Sequence, residues 1–268
     1  MRIRRNFVHL RQRGFTLLEL LLVLGILGLV TGAVFSQMGI AQQRMTTEGV
    51  KLDDFQEARD FVDQFFRDIN QIGDPNTRIV DTTSLLFSPA LDATAQTSTG
   101  LWVSPYIKDN RLAMGLVKVD NAQLRFEGSV NGIGTVQSVI YAVNGSGTCL
   151  LCLQRSQVDK VYGQDPLGQI ANANWGTEVN DVASPVIFRY FLTDGTELTT
   201  LPVDYTTQAG AQQLANIKTI QINLTIRNPL VMDQKTHQPI ETTFEGEVSL
   251  NNCSMAAVGP YAMGMSCN

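Results

Sequence analysis

Three patterns of hydrophobic and polar positions divide the 268-residue chain. From Phe15 to Gln43 apolar residues run almost unbroken, FTLLELLLVLGILGLVTGAVFSQMGIAQQ, with Glu19 the single charge. At ~1.5 Å rise per residue this run spans a hydrocarbon core of ~30 Å. Farther on, Phe55, Ala58, Val62, Phe65, Ile69 and Ile72 recur at 3-4-3-4-3 spacing, the stripe of an amphipathic helix. Asp63 and Arg67 fall on its solvated side at the spacing of a helix-supporting ion pair. Gly73-Asp74-Pro75 is a stop signal, and no proline precedes Pro75, so one long helix is expected. Gly25, Gly28, Gly32 and Gly39 either soften its first half or permit close helix packing.

Beyond Pro75 the period shortens to two. Residues 88–100 are small and polar and predict a loop. Gln123–Val130, Ser138–Val143, Leu150–Gln154 and Pro185–Leu192 predict strands, with turns at Asn144–Gly147 and Asp194-Gly195. Ile217–Arg227 alternates most regularly: Ile220, Ile222, Leu224 and Ile226 on one face, Thr219, Gln221, Asn223 and Thr225 on the other. Phe244, Val248 and Leu250 continue the alternation. One-sided alternation implies an antiparallel sheet with a wet face and a covered face, and the 55–72 stripe is the natural cover. The fold class is α+β: a long N-terminal helix on an antiparallel β-sheet domain.

Charge sharpens the division. Residues 1–14 hold five arginines (Arg2, Arg4, Arg5, Arg11, Arg13) and no acid. Without them 15 basic residues face 25 acidic ones, a net charge of −10. Nucleic acid is a poor partner for so acidic a chain, because phosphate binding needs clustered Lys and Arg. The arginines before the apolar run keep that end cytoplasmic and direct the rest outward. Four cysteines in an exported domain suit an oxidising compartment. His9 lies in the basic leader, so His237 stands alone in the remainder, too little for His-based metal centres or triads.

Glu19 needs a reason, since a carboxylate in an inserting helix costs about 2.5–3.5 kcal/mol. Either it reaches toward headgroups or it awaits a cation from another chain. The stretch Arg13-Gly14-Phe15-Thr16-Leu17-Leu18-Glu19-Leu20 resembles the class III signal of type IV pilins and type II secretion pseudopilins. That resemblance implies cleavage by a prepilin peptidase between Gly14 and Phe15 and N-methylation of Phe15. It also implies assembly through the segment holding Thr16 and Glu19, with Glu19 pairing with the freed amine of an adjacent subunit. Physically, Gly14 offers the peptidase an unobstructed backbone. Pairing amine with carboxylate offsets the cost of burying both charges. The implied organisation is a leader at 1–14, a membrane and filament-core helix at 15–43, its amphipathic continuation at 44–74 and a periplasmic or extracellular domain at 75–268. A secretory signal cut after Thr31-Gly32-Ala33 is the competing reading; Glu19 inside the apolar run and the length of that run argue against it.

Looser likeness extends farther. Glu57-Ala58-Arg59, Phe66–Gly73, Val139-Ile140-Tyr141, Leu153-Gln154-Arg155 and Phe188-Arg189-Tyr190 resemble W-type minor pilins and J-type minor pseudopilins. This implies a low-copy subunit that primes or caps a fibre, with other pilins and the inner membrane as partners. Cys253 and Cys267 enclose a loop that resembles the disulfide-bounded C-terminal loop of many pilins, where a bridge contributes about 3 kcal/mol. Cys149-Leu150-Leu151-Cys152 has CxxC spacing in a strand-like run, which favours a structural disulfide or two buried thiols over a redox centre. A four-cysteine zinc site would normally need two short-spaced pairs. Asp194-Gly195-Thr196-Glu197 reads as a turn before a ligand set. No catalytic constellation, metal site or cofactor is nominated.

Overall fold

The computed structural model describes residues 16–74, 110–144, 149, 151–232 and 238–250. Helix α1 covers Leu17–Ile69. The chain divides into two compact units, Met1–Val50 and Lys51–Asn268.

The second unit is built of α1's last turns, two antiparallel sheets and a short helix. Its strands are β1 (Leu116–Val119), β2 (Gln123–Gly128), β3 (Gln137–Val143), β4 (Leu153–Asp159), β5 (Trp175–Val179), β6 (Phe188–Leu192), β7 (Val203–Asp204), β8 (Ile217–Met232) and β9 (Pro239–Ser249). Six form one sheet in the order β5-β4-β3-β2-β1-β7, and three form another, β6-β8-β9. Helix α2 (Gln208–Asn216) is capped by Thr207, whose Oγ1 accepts the Gly210 N–H at 3.0 Å. The two sheets meet where the Ile187 and Phe188 N–H groups donate to the Asn121 carbonyl and the Tyr190 hydroxyl donates to the Asp120 carbonyl at 2.9 Å.

The helix covers both sheets. Phe65 meets Tyr141 of β3 edge-on at 5.5 Å between ring centres and stacks on Phe188 of β6 at 5.7 Å. Phe61 reaches the same Tyr141 at 5.7 Å. Such aromatic pairs add about 0.5–1.5 kcal/mol beyond area burial. Gly73, at φ +76°, turns the chain out of the helix and donates its N–H to the Glu127 carbonyl. Ile72 bridges Gly128, where a Cβ would collide with the Gln71 carbonyl, so only glycine admits this approach.

Several expectations change. The buried stripe is Ala58, Phe61, Phe65, Ile69 and Ile72. Phe61, not Val62, is the deep position, because 3.6-residue drift centres the stripe on Phe61 and Phe65. Phe55 stays half-exposed, its ring 5.0 Å from Phe244 of β9. Arg67 donates to Gln64 at 2.9 Å rather than pairing with Asp63. The expected single sheet is two. Strand β4 begins at Leu153, so the CxxC segment belongs to the connection before it. The loop at 88–100 and most of the turn at 144–147 lie outside the described residues.

Candidate functional site

Thr16 begins α1 as its cap. Its Oγ1 accepts the Glu19 N–H at 3.3 Å, and its carbonyl accepts the N–H groups of Glu19 and Leu20. Thr16-Leu17-Leu18-Glu19 therefore has the spacing of a capping box. This local role was readable in the sequence as a Thr three residues before a Glu. The Glu19 carboxylate is exposed, as is every residue from Thr16 to Thr46. Leu18, Leu24, Leu29, Val34 and Phe35 each expose more than half their surface. The Thr31 hydroxyl is satisfied within the helix, donating to the Leu27 carbonyl at 2.7 Å. Among the described residues, a Cβ built at Gly25, Gly28, Gly32 or Gly39 would meet nothing within 4 Å. Among the described residues, α1 alone is long and apolar enough to cross a membrane.

A second cluster fixes the helix to the six-stranded sheet. Asp68, buried on α1, accepts the Tyr141 hydroxyl at 2.7 Å, Arg155 Nε at 2.8 Å and Arg155 Nη2 at 2.7 Å on one oxygen. Its other oxygen accepts Gln64 Nε2 at 2.6 Å. Tyr141 and Arg155 face each other across the β3–β4 register. Burial, then the Asp68 charge, pushes the Tyr141 phenol well above its ordinary value, so it stays a donor. The sequence signal was available: Phe61, Phe65, Asp68 and Ile72 fall on one face, which puts a carboxylate inside the apolar stripe. Such a group requires partners.

Elsewhere, Lys160 Nζ donates to Glu127 at 2.6 Å and to the Leu112 carbonyl at 3.0 Å, both side chains fully buried. Burial outweighs the ammonium and raises the Glu127 carboxyl above its ordinary value. This pair pins the chain entering β1, where the Met114 N–H also donates to Glu127.

Gly14, Phe15, Cys253, Cys267 and His237 lie outside the described residues. The sulfurs of Cys149 and Cys152 are joined, with Cα atoms 5.7 Å apart. Leu151 between them has φ +59°, and its carbonyl accepts the Val182 N–H at 2.7 Å. Cys152 Sγ lies 3.6 Å from Asn180 Oδ1, and Asn180 donates to Glu57 of α1 through its backbone and side-chain nitrogens at 2.8 and 3.0 Å. Asp194 folds onto Thr196, and Glu197 pairs with Arg189 at 2.7 Å, as a turn does. Among the described residues no group of three His, Cys, Asp or Glu is placed to hold a metal ion.

No curated protein and no solved structure matches the chain. Residues 9–35 match the family described as the prokaryotic N-terminal methylation motif, a structural rather than catalytic signal that supports a type IV pilin-like class III precursor.

Proposed function

We propose that the chain is a minor type IV pilin or pseudopilin, a low-copy subunit that primes or caps a filament. The observation that carries this reading is the overlap of the matched segment, residues 9–35, with a helix whose apolar surface finds no partner among the described residues. Such a surface requires lipid or other chains. The precursor sits in the inner membrane as a single span with its β-rich domain in the periplasm. Prepilin peptidase cuts between Gly14 and Phe15, and Phe15 is methylated. The cationic amine then meets Glu19 of a neighbouring subunit, and the pairing sets register between helices. Gly28 and Gly32 allow those helices to approach closely. Disulfides at Cys149–Cys152 and Cys253–Cys267 form in the periplasm and tie down a hairpin connection and the C-terminus. A size and strand content beyond those of an ordinary main subunit favour the minor role.

Intact mass and N-terminal sequencing of the protein from its native host test this reading. The expected mature chain starts at N-methylated Phe15 and is recovered with sheared filaments or an envelope filament complex. A start at Val34 would overturn the reading in favour of a secreted binding domain.

A further inference from the structure

Strand β5 ends the six-stranded sheet among the described strands, while the opposite end, β7, is two residues long and adjoins α2. Trp175, Gly176 and Thr177 of β5 hold regular register with Ser156, Arg155 and Gln154, and the register shift falls only beyond Thr177. Their other edge is therefore regular backbone able to pair with one more strand. Beside that edge runs a groove of about 570 Å³ between α1 and β4–β5, lined by Glu57, Asp60, Gln64, Arg155, Gln157 and Glu178. Gly176, opposite Arg155, has no side chain to fill it.

Among the described residues the groove's charge is not balanced. Arg155 is committed to Asp68 at 2.7 Å, which leaves Glu57, Asp60 and Glu178 against Arg67, which also lines the groove. Glu57 already accepts two hydrogen bonds from Asn180. Glu178 has no hydrogen-bond or ion-pair partner among the described residues and is half-buried, and burial pushes its carboxyl up despite the nearby Arg155 charge. A regular strand edge supplies main-chain hydrogen bonds to an extended segment, and pockets beside the edge select its side chains.

We propose that β5 is a docking edge for an extended segment of a neighbouring filament subunit, which pairs with Trp175–Thr177 and places a Lys or Arg side chain in the groove against Glu178 and Asp60. The incoming cation supplies the donor that Glu178 lacks, and the opposite charge disfavours acidic segments at the same edge. The neighbouring subunit as partner rests on the filament reading above; the edge and the charge requirement do not.

The test is photo-crosslinking from Thr177, an exposed edge residue, in the full-length chain in its native host. Sheared filaments are separated from cell envelopes, and crosslinked peptides are identified by mass spectrometry. The expected product joins residue 177 to another subunit's peptide with Lys or Arg beside the link. Glu178→Lys lowers its yield about tenfold through like-charge repulsion, while processing at Gly14–Phe15 continues. Should E178K lose protease resistance, E178Q carries the test, with a fall of roughly threefold. Processed chain in the filament fraction with crosslinks only to itself, to neutral or acidic segments, or to nothing would overturn the docking edge alone. An unchanged yield in both variants would do the same. Absence of processed chain from every filament or filament-complex fraction would overturn the filament reading.

Discussion

The two halves of α1 belong to one continuous helix and have opposite fates. From Leu17 to Ile40 its large apolar side chains are exposed, and from Ala58 to Ile69 its apolar stripe is closed by the faces of two sheets. What differs is periodicity: the first half is apolar on all sides, the second on one. A stripe fits against a sheet of its own domain, whereas an all-round apolar helix can be satisfied only by lipid or by other helices. One helix thus holds an apolar stripe that folds the molecule and an apolar surface for which the described residues offer no complement.

The largest effects should come from substitutions that touch only the second kind. Gly14→Leu is expected to stop processing almost completely, so that uncut precursor accumulates in the envelope; mature mass at normal yield would break the proposed cut. Glu19→Ala is expected to leave cleavage intact but to lower incorporation into filaments roughly a hundredfold, because an amine is left buried without its carboxylate. Quantifying mature chain in sheared and envelope fractions decides it. Neither change should move the melting of the β-rich domain, since both positions lie outside the compact unit Lys51–Asn268.

Core truncation draws the same contrast in stability. Phe65→Ala removes the ring shared by Tyr141 and Phe188 and should cost about 3–5 kcal/mol in denaturant unfolding of the full chain in detergent. Leu24→Ala should leave that transition within about 0.5 kcal/mol, because its side chain is exposed and lies outside the compact β-rich unit. Equal losses at both positions would erase the distinction between the halves. Tyr141→Phe keeps the packing and deletes the hydroxyl that Asp68 accepts at 2.7 Å, for an expected loss of about 1.5–3 kcal/mol.

Much of this was legible in the sequence because periodicity reports burial directly. The long helix, its exit at Gly73, strands β2, β3, β6 and β8, and the inward faces of Ile220, Ile222, Leu224 and Ile226 all follow from patterns of two or 3.6. Strands β1 and β7 did not, because runs of two to four residues are too short to show a period, and β5, WGTEV, has only two apolar residues around a glycine. The second sheet was hidden for another reason: alternation tells which face is covered but not which strand is the neighbour. The Asp68 cluster joins residues from three elements, and only a carboxylate inside an apolar stripe hinted at it. Thr16 was noted as part of the assembly segment, while its spacing to Glu19 already described a helix cap.

Glu178 is the polar counterpart of that exposed surface, and its effect on stability should be small. Like the apolar surface of the first half-helix, its carboxylate lacks a complement within the described chain, although it stands beside a folded sheet. Burial holds its pKa above the ordinary 4.5. The folded state then binds the proton more tightly than the unfolded state, so folding stability falls as pH rises from 4.5 through the raised value. Glu178→Gln removes that contribution: the variant should gain on the parent as the pH is brought from acid to neutral, and the two should converge in acid. Glu127 adds a slope of the same sign to both proteins, so the difference between them isolates Glu178. Denaturant unfolding of parent and variant in detergent at acid and neutral pH measures this. A variant less stable than the parent at neutral pH would mean that Glu178 is already satisfied within its own chain, and the groove beside β5 would then have no unmet charge to offer a neighbour.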